Sequence, residues 1–145
     1  VNYKDIAREL VDVMSVYKNA KMQKVMENAL NGEAYALCYL ANRGGEHTLP
    51  GELGDAMHVT SARIAQTLNS LEGKGLITRN IDSEDRRRIL IALTDAGHAE
   101  AEEAGHRAVE LTGKMLEKLG ETDAREYVRI MRKLTEIMDG QEHSK

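Results

Sequence analysis

Leu76-Ile77-Thr78-Arg79-Asn80-Ile81 and Ile89-Leu90-Ile91-Ala92-Leu93 are short, β-branched runs on either side of Asp82-Ser83-Glu84-Asp85-Arg86-Arg87-Arg88. Two such runs around a polar turn predict a β-hairpin. Immediately upstream the period is helical. Ile64, Leu68 and Leu71 share one face, Thr60 and Ser61 offer N-cap oxygens, and the segment runs out near Gly73-Lys74-Gly75. Pro50, the one proline, opens a short helix reaching Met57, where its missing N–H costs least. Ala34 to Ala41 makes a further helix that ends at Arg43-Gly44-Gly45. Three short helices followed by a hairpin is the order of a winged helix-turn-helix.

Longer helices flank this lobe. Ile6, Leu10, Val13, Tyr17, Val25, Met26 and Leu30 stripe residues 3 to 30, with Asn31-Gly32 as a stop. Downstream, Thr94 caps a helix running to about Leu119, and Gly120-Glu121-Thr122 breaks it. A last helix carries Tyr127, Ile130, Met131, Leu134, Ile137 and Met138, with a frayed tail expected beyond Asp139. The fold class is mainly α with a minor β part: a winged helix-turn-helix between long N- and C-terminal dimerisation helices. Residues 1–30 and 95–145 are assigned to dimerisation and 32–94 to the winged lobe. The terminal stripes need a partner, and a second copy of the chain is the simplest one.

Composition narrows the chemistry. In 145 residues there is no Trp, no Phe and only five Tyr, which argues against aromatic platforms for single-stranded bases. The net charge of −4 argues against binding nucleic acid by bulk charge. Its distribution is uneven, however. Met57 to Leu93 holds six basic residues against four acids, whereas His98 to Glu126 holds eight acids against four bases. The positive stretch coincides with the helix and hairpin that would meet a duplex, where each neutralised phosphate releases counterions. A single cysteine, Cys38, leaves no disulfide framework and no four-cysteine zinc site. No apolar run approaches the ~20 residues of a membrane span, and the first residues lack the layout of a secretory signal, so the cytoplasm is the expected compartment.

On the helix after Thr60, the apolar face leaves Thr60, Ser61, Arg63, Gln66, Thr67, Asn69 and Ser70 outward, with Glu72 as the one acid. Gln reads adenine, Arg reads guanine, and hydroxyls reach phosphate or base. The helix N-terminus adds a place for a phosphate. The plain alternative is a solvated polar face. Arg86, Arg87 and Arg88 in one turn repel each other unless something uses them, and a narrow minor groove draws in arginine. Asp85 is placed to pair with one of them.

Asp85 through Gly97 fits the D-x-R-x5-L-T-x2-G signature of the MarR family of bacterial regulators, and Leu68 through Arg79 is similar to that family's L-x2-L-x2-K-G-L-[IV]-x-R run. The resemblance implies a homodimer joined by first and last helices, a recognition helix in the major groove, and a wing arginine in or beside the minor groove. Asp85 then matches the wing aspartate and Arg87 the wing arginine, while Thr60, Ser61, Arg63, Gln66 and Ser70 match recognition-helix positions. The partner would be double-stranded DNA with a pseudo-palindromic operator, and the function that of a repressor released by a small ligand. Three positions depart from the family pattern: Gln66 replaces a frequent arginine, Gly54 a usual alanine, and Leu49 a common capping Thr or Ser.

A small-molecule effector would sit near Met14, Tyr17, Tyr35, Cys38 and Tyr39, residues that core packing also explains. Cys38 raises a redox alternative, but a lone cysteine in an apolar stretch is usually an inert core residue. His98, Glu102 and His106 share a face and raise a metal-responsive alternative. Spread over about 12 Å of helix they cannot all reach one ion, so one pair would need help from His47 or Glu46. No cofactor is expected. The absence of phosphate-binding glycine loops, G-x-S-x-G and H-E-x-x-H argues against an enzyme. A helical dimerisation module without DNA binding would leave the arginine turn unexplained.

Overall fold

The computed structural model describes residues 1–14, 32–44 and 47–142. Its elements are α1 (Tyr3–Val13), α2 (Gly32–Asn42), α3 (Pro50–Met57), α4 (Ser61–Gly73), β1 (Ile77–Ile81), β2 (Ile89–Leu93), α5 (Asp95–Leu119) and α6 (Glu121–Glu142). Tyr17, Val25, Met26 and Leu30, predicted to continue the first helix, lie outside the described residues, as does the Asn31 of its stop. Two compact units result, Val1–Ala108 and Val109–Lys145.

The first unit is built around a core from α2, α3, α4, the hairpin and α5. Leu53, Leu68, Leu71, Ile77 and Ile91 are its largest fully buried apolar side chains, and Leu37, Leu40 and Ala101 pack with them. Ile64, Leu68 and Leu71 supply the inward stripe of α4 at helical spacing. β1 and β2 pair antiparallel from Ile77↔Leu93 to Ile81↔Ile89. Burial is complete at Ile77 and Ile91 and lost at Ile81 and Ile89, so the hairpin projects beyond the core as a wing.

Local chemistry sets the joints. Thr60 caps α4 by accepting the Arg63 N–H at 3.2 Å. α4 ends in a Schellman turn: Gly75 takes φ 72° and donates to Glu72 O, while Leu76 donates to Leu71 O. Thr94 joins the hairpin to α5. Its hydroxyl donates to Gly75 O at 2.7 Å and accepts from Gly97 N at 3.0 Å, and its own N–H donates to Leu76 O. Thr48 adds a single antiparallel bridge to Ile91, a third edge that the sequence pattern did not predict.

Two departures from the family pattern have local explanations. Gly54 is buried where α3 crosses α4, and a Cβ there would stand 3.2 Å from Ile64 Cγ1. Glycine thus permits the tight crossing in this chain. Leu49 has no capping oxygen, and the Glu52 carboxylate accepts its N–H instead.

In the second unit, α6 is laced by the ion pairs Arg125–Glu121 and Arg129–Glu126. The helix continues to Glu142, so the fraying expected beyond Asp139 does not begin there, and residues 143–145 of that tail lie outside the described residues. The break before it is narrower than Gly120-Glu121-Thr122: Gly120 alone, at φ 80°, turns the chain, and Glu121 already starts α6. None of the residues of α1 is buried, nor is any of residues 121–141 of α6. No described helix is long and apolar enough to cross a membrane.

Candidate nucleic-acid interface

α3, the three-residue turn His58-Val59-Thr60, and α4 form the helix-turn-helix. His58 makes the turn possible by adopting the left-handed conformation at φ 53°, with its N–H donated to Asp55 O and the Val59 N–H to Gly54 O. Thr60, Ser61, Arg63 and Gln66 are exposed on the N-terminal half of α4. Thr67 is not. It is 8% exposed and donates its hydroxyl to Arg63 O, so the outward position expected of it is corrected. One turn after Arg63, its Cα falls on the edge of the apolar stripe between Ile64 and Leu71.

Ser70 and Asn69 are already engaged by neighbouring elements. Ser70 donates to the carboxylate of Glu33, in the first turn of α2, which also pairs with Lys74 Nζ at 2.6 Å. These bonds hold the Glu33 carboxyl below its ordinary pKa, Lys74 first and Ser70 second. Asn69 accepts from Arg79 of β1, whose guanidinium also forks onto both oxygens of Glu72, at 2.9 and 3.1 Å. The fork lowers the Glu72 pKa and raises that of Arg79. A strand residue thereby holds the end of α4 and neutralises its one acid.

The wing tip is closed by the Asp82 N–H donated to Arg88 O and turned by the Arg88 N–H donated to Asp85 O. Asp85 Oδ1 accepts both the Arg87 backbone N–H at 3.0 Å and its Nε at 3.2 Å. Arg87 holds the Asp85 carboxyl below its ordinary pKa, and the pair orients a guanidinium whose side chain is 92% exposed. Arg88 lies 3.8 Å from Asp82. Of the six basic residues between Met57 and Leu93, Arg63 and Arg86 alone make no ion pair among the described residues. One is on α4 and one at the wing tip.

Each candidate effector residue on α2 has its own partner. Tyr35 donates its hydroxyl to Ala56 O on α3, Cys38 directs its thiol at Ala101 O on α5, and the Tyr39 ring centroid lies 6.0 Å from the Arg43 guanidinium. Met14 is 65% exposed at the end of α1, and Tyr17 lies outside the described residues. A cavity of about 360 Å³ lies elsewhere, between α3, α4 and the wing, lined by Gly54, Val59, Ile64, Leu68, Arg79 and Ile89 among others. His98, Glu102 and His106 are all exposed on α5, and among the described residues no group of three His, Cys, Asp or Glu side chains is placed to hold a metal ion. Glu46 lies outside the described residues.

Sequence reasoning missed Glu33 and the clamp by Arg79. Asn69 and Glu72, spaced by three on α4, were a legible signal for a shared partner. Glu33 gave none, because its partners stand 37 and 41 residues away.

A family model described as MarR family matches residues 30–88. The chain is similar to the HTH-type transcriptional repressor YetL of Bacillus subtilis (strain 168), with 34% identity over 89 residues, 57% of this chain and 53% of that protein. The match thus spans about half the length of that curated relative. Among solved structures, a probable transcriptional regulator from Pseudomonas aeruginosa superposes with a TM-score of 0.65 at 26% identity, covering 80% of this chain and 90% of that one. A mutant of Staphylococcus aureus MepR bound to an oligodeoxyribonucleotide gives a TM-score of 0.56 at 22% identity, covering 97% and 99%, a likeness of fold. The matched segment runs from just before α2 through the arginines of the wing, and over that segment the chain is similar to the MarR family in sequence, with a helix-turn-helix and a hairpin in the same order.

Proposed function

We propose that this chain is a dimeric, sequence-specific double-stranded DNA-binding transcriptional regulator, a repressor that reads a pseudo-palindromic operator in the cytoplasm and is released by a small ligand. One observation carries the reading. Ion pairing engages the other cations of the lobe and leaves Arg63 on the recognition helix and Arg86 at the wing tip, with Arg87 displayed by Asp85. The uncompensated charge falls on the two elements that a winged helix brings to a duplex. Thr60, Ser61, Arg63 and Gln66 form the base-reading and phosphate-gripping set in the major groove, and Arg86, Arg87 and Arg88 the minor-groove set. A curated relative is a transcriptional repressor, and a protein of like fold has been solved with a bound oligodeoxyribonucleotide; both support the reading.

Dimerisation rests on the unpartnered stripes. Ile6, Leu10, Val13 and Met14 of the α1 segment and Tyr127, Ile130, Met131, Leu134, Ile137 and Met138 of α6 are exposed at helical spacing, more apolar surface than a monomer leaves in water. Residues 1–30 and 95–145 would join two copies and set the winged lobes of residues 32–94 about 34–36 Å apart, one helical turn of DNA. The cavity between α3, α4 and the wing is a place where an occupant would change the angle between the two reading elements.

The test is fluorescence anisotropy with duplexes tiled across the intergenic regions beside its own gene. A palindromic fragment should bind at least roughly a thousandfold more tightly than scrambled duplex at physiological salt. Arg87→Ala should weaken that binding with the oligomeric state unchanged, and unaltered affinity would refute the wing assignment.

A further inference from the structure

Arg63, Ser70 and Lys74 fall within about 20° of one line along α4, at about 100° per residue, and the line is about 16 Å long. The major groove is about 12 Å wide. A helix that enters the groove N-terminus first, with its N-terminal residues on base edges, carries its other end out toward the phosphate rim. Lys74 and Ser70 stand there, a cation and a hydroxyl suited to phosphate.

Both are already engaged. Glu33 accepts from Ser70 through one oxygen and from Lys74 through the other. It sits in the first turn of α2, where the helix dipole favours a carboxylate. The same carboxylate also walls a depression of about 280 Å³ whose other sides include Arg63, Gln66 and Thr67 of α4. An acid thus stands beside the reading face and occupies its two C-terminal phosphate donors.

We propose that Glu33 is a positioning residue that sets specificity: it withholds Lys74 and Ser70 from the phosphate backbone, so that affinity comes from the N-terminal, base-reading half of α4. The inference rests on the DNA-binding reading above. It makes Lys74 a latent phosphate contact, silent while Glu33 is charged and present. A cation that contributes nothing in the parent chain and something in a variant is the signature.

The experiment measures the salt dependence of affinity for a scrambled duplex and for the bound palindrome, using the full chain, Glu33→Gln, Lys74→Gln and the double variant. Glutamine in place of Glu33 keeps an acceptor for Ser70 and loses the charge that holds Lys74. One added phosphate contact steepens the slope of log K against log salt by about 0.9, so Glu33→Gln should lose about threefold more affinity than the parent between about 50 and 200 mM salt. Scrambled duplex should gain most at low salt, lowering the ratio of palindrome to scrambled affinity. Lys74→Gln should match the parent slope, and the double variant should return to it. An unchanged slope in Glu33→Gln overturns the proposal. So does a steeper slope that survives in the double variant, which would reduce Glu33 to general repulsion of DNA. Failure of the parent chain to bind any duplex would overturn the DNA-binding reading itself, and this inference with it.

Discussion

Gly97→Ala is the substitution for which the structure makes the sharpest demand. Gly97 lies in the first turn of α5, and a Cβ there would overlap Leu76 O and stand 3.0 Å from both Leu76 C and Leu93 Cδ2. No rotamer relieves a clash between a Cβ and a backbone oxygen, so α5 must withdraw from the hairpin. That withdrawal breaks the joint made by Thr94, whose N–H donates to Leu76 O at 3.1 Å and whose hydroxyl donates to Gly75 O at 2.7 Å. Each lost bond costs about 0.5–1.5 kcal/mol, and the forced shift in a packed site about 1–3 kcal/mol. Against this, alanine is favoured over glycine in a helix by about 0.5–1 kcal/mol. The net expectation is a loss of about 3 kcal/mol, or roughly 6–12 °C in Tm for a chain of this size. Gly105→Ala in the same helix is the internal control. Among the described residues, nothing outside its own stretch of helix lies within 4 Å of its added Cβ, so only the helix preference remains and stability should rise by about 0.5–1 kcal/mol. Urea and thermal unfolding at one fixed protomer concentration decide the matter. Equal shifts in the two variants, or a Gly97→Ala chain as stable as its parent, would refute the close approach of α5 to Leu76.

Thr48→Val should be neutral or stabilising by about 1 kcal/mol, because the Thr48 hydroxyl is fully buried with no hydrogen-bond partner among the described residues and valine keeps its shape. A clear loss in urea midpoint would mean that the hydroxyl is satisfied. Leu134→Glu, on the exposed α6 stripe, should yield monomers or aggregates by light scattering, and an intact dimer would remove α6 from the interface. For pH, Glu33, Glu72 and Asp85 all have folded pKa values lowered by their basic partners, so the unfolded chain takes up protons first as pH falls. Their stabilisation is complete above the ordinary carboxylate range and is lost on descending through the folded values. Tm should be level near neutrality and fall below about pH 4.5, the ordinary glutamate value. A Tm unchanged from about pH 6 down to about pH 3.5 would contradict these pairings.

The parts of this molecule that sequence made legible are those whose cause is local. The stripe of Ile64, Leu68 and Leu71, the cap at Thr60, the alternation of the hairpin and the break at Gly120 are each decided within a few residues, and each stands in the structure close to its expected place. The exposure of the N-terminal half of α4's polar face, at Thr60, Ser61, Arg63 and Gln66, was legible for the same reason. What escaped was set by pairs distant in the chain or by the depth of packing. Thr67 looked outward on a helical wheel, yet its place at the edge of the buried stripe took it inside. Charge shows the limit best. A sum over Met57 to Leu93 gives that stretch its positive sign but treats Lys74, Arg79, Arg87 and Arg88 as equivalent to Arg63 and Arg86. Folding distinguishes them, because Glu33 arrives from α2 and Arg79 reaches back from β1 onto Glu72. The same arithmetic therefore describes two different objects. A diffuse positive patch would bind any duplex, with a steep dependence on salt. Two arginines without an ion pair among the described residues, one on the helix and one on the wing, would bind well where groove shape and base sequence bring both into register. On the function proposed above, the pairing of the other cations would turn a basic segment into a selective one.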